Sequence, residues 1–124
     1  MTESDNSHKD LFSRWCFVLY ALALVTATHW PKLELPALQG TDKTIHFVAF
    51  GMWTLFLWRT GWVRSRWLLM LIALVWSALD EWGQAIPVIH RHFSWLDMSA
   101  NFGGVILATL VLALINLLRT PRQA

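Results

Sequence analysis

Asp80, Glu81 and Gln84 lie within LLMLIALVWSALDEWGQAI, residues 68–86, a stretch that is apolar almost without interruption until the acids appear. With Ser77 they are three or four residues apart, which places them on one stripe of a helix. Asp97, Asn101 and Gly104 form a second such stripe and Asp42 and His46 a third, with Lys43 and Arg91 as the nearby cations. Carboxylates, an imidazole and an Arg could do general acid/base work on a lipid-linked phosphate, Arg91 and Lys43 holding phosphate oxygens while a carboxylate or His46 moves a proton. Asp80, Glu81, Asp97 and Asn101 also offer hard oxygen ligands to Mg²⁺ or Ca²⁺, and His46, His90 and His92 offer nitrogen to Zn²⁺. No compact ligand spacing of the HExxH kind occurs, however, and neither Ser77 nor Ser94 has an evident activating base. The expectation is a ligand-binding set of Asp42, Lys43, His46, Asp80, Glu81, Gln84, Arg91, Asp97 and Asn101, with no metal and no cofactor.

The rest of the chain says what must position that set. Of its 124 residues 56 % are hydrophobic and 15 % charged, against roughly 45–50 % and 25 % in soluble domains. Nine Trp, whose amphipathic rings favour the bilayer interface, point to a membrane protein too. The net charge of +2 has no block of Lys and Arg interleaved with stacking aromatics, so nucleic acid is not an expected partner. Cys16 is the single cysteine, which excludes an intramolecular disulfide and reads as a small buried thiol.

Residues 1–13 are polar and are expected to fray ahead of the first helix as a cytoplasmic lead-in, with residues 120–124 as a tail. Between them, residues 14–119 read as an all-α membrane bundle of four transmembrane helices. The first runs from Trp15 to about Thr28 and ends before Pro31 and Pro36. Its length also suits a signal peptide, but the three acids ahead of it argue against cleavage. The second runs from Asp42 or Lys43 to Trp58, the third from Trp67 to Gln84 or Ala85, and the fourth from Asp97 to Leu118. Lys9, Arg14, Arg59, Arg64, Arg66, Arg119 and Arg122 fall on one side of such a bundle and Lys32, Lys43 and Arg91 on the other. This bias places both termini in the cytoplasm.

Depth then follows from helical rise. Asp80 is about 21 Å along the helix from Arg66 and His46 about 20 Å from Arg59, short of a hydrocarbon core of roughly 30 Å. Asn101 lies about 27 Å from Arg119, with Asp97 a turn further out. A charge at bilayer depth costs roughly 2.5–3.5 kcal/mol, so these groups are expected to face inward and meet at the extracytoplasmic end. Gly103, Gly104, Ala100 and Ala108 would let the fourth helix approach its neighbours closely. The inner half has almost no polar residues to carry an ion pathway.

Taken together, DKTIHFVAF, DEWGQ and HRHFSWLDMSANFGG resemble the VanZ-like family of small bacterial membrane proteins. The matching positions are Asp42, Lys43, His46 and Phe47; Asp80, Glu81 and Gln84; Arg91; and Asp97, Asn101 and Gly104. Where the family reads Pro-Gly-Arg, this chain has a longer stretch without glycine, Pro87 to Arg91. The resemblance covers residues 42–108 and implies a multi-pass protein of the bacterial cytoplasmic membrane, linked through the founding member to glycopeptide antibiotic resistance. The expected function is recognition of an anionic envelope lipid or glycopolymer headgroup by the polar set, with a homo-oligomer as a further expected partnership. Enzyme action on a lipid-linked phosphate and a purely structural role in helix packing are the alternatives.

Overall fold

A computed structural model describes residues 3–30, 41–89 and 92–119, with side chains from residue 10 onward except at residue 41. It is all-helical there, with no strand: α1 spans Glu3–His29, α2 Thr41–Arg59, α3 Arg66–Gln84 and α4 Trp95–Arg119, and a single 3₁₀ turn at Pro87–Ile89 precedes α4. Seven of the eight expected helix ends lie within two residues of those observed. The exception is the start of α1, where the segment expected to fray is helical from Glu3. Residues 3–13 contain neither Pro nor Gly, so the segment holds no helix breaker despite its polar composition.

Local chemistry explains the other boundaries. α2 ends where the Thr60 hydroxyl bonds back to the Leu57 carbonyl at 2.7 Å and receives the Trp62 N–H at 3.1 Å, while Gly61 takes a φ of 73°. The Ser65 hydroxyl accepts the Leu68 N–H at 3.4 Å and opens α3. At α4 the Ser94 hydroxyl accepts the Asp97 N–H at 3.2 Å, so the helix starts two residues before the expected Asp97.

α2 is the central helix, packed most extensively on α4 and also against α1 and α3. The α2–α4 crossing is a backbone contact: a Cβ on Gly104 would overlap the Phe47 carbonyl oxygen, and one on Gly51 would stand 3.2 Å from the Gly104 oxygen. Below it an aromatic core fills the bundle. Phe17 meets Trp53 edge-on at 5.2 Å, Trp53 stacks on Trp76 at 5.9 Å, and the Tyr20 hydroxyl donates to the Ala49 carbonyl at 2.8 Å. Cys16, expected to be buried, is only half-buried, because its face of α1 lies at the edge of this core.

The distribution of polarity is inverted relative to a water-soluble bundle. Leu19, Leu22, Leu71, Val75, Leu79, Leu110, Leu114 and Leu117 are all at least half exposed, whereas His46, Asp80, Glu81, Gln84, Asp97 and Asn101 are buried. Among the described residues two helices are long and apolar enough to cross a membrane, Asp10–His29 of α1 and the whole of α4. α2 and α3 are shorter, 19 residues each, and their polar outer turns dilute their apolar character.

Candidate functional site

The polar residues gather at one end of the bundle, where the C-termini of α1 and α3 meet the N-termini of α2 and α4. Helical spacing puts Asp80, Glu81 and Gln84 on the buried face of the last turn of α3, at 5 %, 0 % and 2 % exposure. The Gln84 amide donates to Asp80 Oδ2 at 3.2 Å and to Glu81 Oε2 at 3.4 Å, bracketing the two acids.

Each acid is then tied to a different helix. Asp80 Oδ1 accepts the Thr28 hydroxyl of α1 at 2.9 Å, with His29 Nδ1 at 3.7 Å. His29 Nδ1 is also 3.0 Å from both the Val25 carbonyl and the Thr28 hydroxyl oxygen. A carbonyl only accepts, so Nδ1 carries the proton and a donor chain runs from His29 through Thr28 to Asp80. Gly83 makes room for this ring: a Cβ there would sit 2.7 Å from His29 Nε2. On the other side Glu81 Oε1 accepts the backbone N–H of Ser94 at 2.8 Å. In a capping box the acid at the third helical position satisfies the N-cap amide. Here Glu81 of the neighbouring helix does so, which leaves the Asp97 carboxylate to the cluster.

The α2–α4 crossing supplies the rest. Because the two backbones touch at Gly104, His46 and Asn101, one turn above, come within hydrogen-bond distance, with His46 Nδ1 at 3.0 Å from Asn101 Oδ1. The amide oxygen accepts, so Nδ1 carries a proton, and Nε2 lies 3.9 Å from Asp42 Oδ1. Asn101 is fully buried, and its Nδ2 has no hydrogen-bond partner among the described residues. Asp42, His46 and Asp97 each present one metal-capable atom, all within 4.8 Å of one another. Ser94, held by Glu81 through its backbone N–H, accepts the Asp97 N–H on its hydroxyl, which ties the two halves together.

Of the expected set, Asp42, His46, Asp80, Glu81, Gln84, Asp97 and Asn101 are thus brought together. Lys43 is exposed on the outer turn of α2. Arg91, expected to hold an anion, lies outside the described residues, as do His90 and Lys32. Ser77 bonds back to the Leu74 carbonyl at 2.9 Å on its own helix. Sequence reasoning missed Thr28 and His29, although they end the first apolar run at the level where α3 turns polar. It also missed Ser94 as the link between α3 and α4. No family model, curated protein or solved structure matches this chain.

Proposed function

We propose that this chain is a four-span protein of the bacterial cytoplasmic membrane, with both termini cytoplasmic, whose cluster of buried polar residues at the extracytoplasmic end binds an anionic envelope lipid or glycopolymer headgroup. The exposed leucines of α1 and α4 support membrane insertion, since only 17 % and 28 % of their apolar stretches are buried. A core helix of a soluble domain would be mostly enclosed. α2 and α3 cross as well in this reading because their polar groups turn inward against α1 and α4 and are shielded from lipid. The bacterial envelope enters through the VanZ-like resemblance of the motifs around Asp42, Asp80 and Asp97.

The observation that carries ligand binding is the orphaned Nδ2 of Asn101. Two other buried donors lack a partner, Trp53 Nε1 and Trp76 Nε1, but they belong to the aromatic core, whereas Asn101 Nδ2 lies in the polar cluster, where buried side-chain groups among the described residues are otherwise satisfied. A fully buried donor beside His46 calls for an acceptor oxygen, which a phosphate or sugar headgroup provides. The test is thermal unfolding of the detergent-purified protein with a short-chain polyprenyl phosphate, phosphatidylglycerol or phosphatidylcholine. An anionic lipid should raise the unfolding temperature by several degrees in the wild type and by much less in Asn101→Ala. Release of inorganic phosphate from the polyprenyl phosphate, abolished in Asp80→Asn/Glu81→Gln, would instead establish an enzyme. No shift with any of the three probes leaves the polar cluster a packing device.

A further inference from the structure

The geometry points to a divalent-cation site formed by Asp42, His46 and Asp97, in which Asn101 holds the imidazole in its metal-binding tautomer. A ligating histidine characteristically donates its second ring N–H to an oxygen acceptor, which fixes the ring and frees the other nitrogen for the metal. His46 meets this requirement: Nδ1 donates to Asn101 Oδ1 at 3.0 Å, and Nε2 lies near the Asp42 carboxylate. Bonds of about 2.0–2.2 Å at tetrahedral angles put ligand atoms roughly 3.3–3.6 Å apart around one ion. The 3.9 Å between His46 Nε2 and Asp42 Oδ1 is a few tenths of an ångström wider. The outer limit of 4.8 Å within the trio closes with side-chain shifts of about 1.3 Å in all.

Charge and burial point the same way. His46 is 4 % and Asp97 9 % exposed, while the Asp42 side chain is 31 % exposed and opens the trio to one side. Two carboxylates and one imidazole suit Zn²⁺ or Mn²⁺ better than Mg²⁺ or Ca²⁺, which prefer oxygen throughout. Three protein ligands leave coordination positions for water or a ligand oxygen. Through the ion, an acid-rich cluster gains the positive charge to meet an anionic headgroup. That last link rests on the proposed function, but the ion site does not.

The full chain, purified in detergent, stripped with chelator and free of added lipid, is titrated with Mn²⁺, Zn²⁺, Mg²⁺ and Ca²⁺. The expected result is one saturable equivalent of Zn²⁺ or Mn²⁺, with Mg²⁺ and Ca²⁺ binding at least tenfold more weakly. Asp97→Asn and His46→Ala should abolish it. Asn101→Ala, which keeps all three ligands, should weaken it by about 10–100-fold. His92→Ala, at an exposed position outside the trio, should bind as the wild type does. A measurement on the wild type alone guards against variants that do not fold: bound Mn²⁺ should show coupling to one ¹⁴N nucleus in pulsed electron paramagnetic resonance. No saturable binding, absence of that coupling, or wild-type affinity in a folded Asp97→Asn overturns the site. Metal binding without any lipid response would sink the headgroup reading alone.

Discussion

The Glu81 carboxylate on α3 accepts the backbone N–H of Ser94, the residue that caps α4, at 2.8 Å. One buried acid thereby satisfies an amide that a helix start would otherwise leave orphaned. Glu81→Ala should lower stability by about 1–3 kcal/mol, the cost of an unmet buried donor. Glu81→Gln keeps an acceptor oxygen in place and should lose less than half as much. Denaturant unfolding in detergent micelles compares them, and equal losses would mean that the bond contributes nothing.

Ser94 also works through its hydroxyl, which accepts the Asp97 N–H at 3.2 Å. Ser94→Ala should cost about 1 kcal/mol as a lost cap. Because Glu81 bonds the Ser94 backbone and not its side chain, the Ser94→Ala and Glu81→Ala losses should nearly add. A double-mutant cycle in the same unfolding assay reads the coupling directly, and a large term would show that the two bonds are one structural unit.

The α2–α4 crossing predicts a graded response to added methyl groups. Gly104→Ala meets a backbone carbonyl that cannot rotate away, and should destabilise by about 3 kcal/mol or more. Gly51→Ala, 3.2 Å from the Gly104 oxygen, should cost about 1 kcal/mol. Folded yield and unfolding midpoint rank the pair, and tolerance of Gly104→Ala would contradict the close approach that sets the His46–Asn101 bond.

On the α1 side, Thr28→Val removes the hydroxyl that donates to Asp80 while keeping the shape. It should cost about 1–3 kcal/mol, as expected when a buried acceptor loses its donor. His29→Ala should cost less than about 1 kcal/mol, since the ring is 3.7 Å from Asp80 and its side chain 26 % exposed. The same unfolding series would expose a reversed order, which would move the main α1 contact from Thr28 to His29.

Orientation has its own test. A reporter active only outside the cytoplasm should be active when fused after Pro87 and silent after Gly61. The opposite pattern would invert the bundle and move the polar cluster to the cytoplasmic face.

Much of this arrangement was legible because a sequence this apolar concentrates information in its rare polar residues. Spacing alone assigned Asp80, Glu81 and Gln84 to one face of α3, and Asp97 and Asn101 to one face of α4. The part played by α1 was not legible, because Thr28 and His29 are adjacent and form no periodic stripe, so only the fold turns Thr28 toward Asp80. The helical start of α1 was masked by polar composition, which reports solvent preference more strongly than backbone conformation. The Ser94–Glu81 bond was hidden for another reason: it runs through a main-chain amide, and every residue but proline has one.

That bond spans 13 residues of chain and so bears on how the protein is made. α3 is the less apolar partner and carries two acids, a poor candidate to partition into lipid by itself. Its Glu81 acquires its amide only when the start of α4 arrives. If both helices cross the membrane as proposed, they favour integration as a paired hairpin during synthesis, with the long apolar α4 drawing the acidic end of α3 into place.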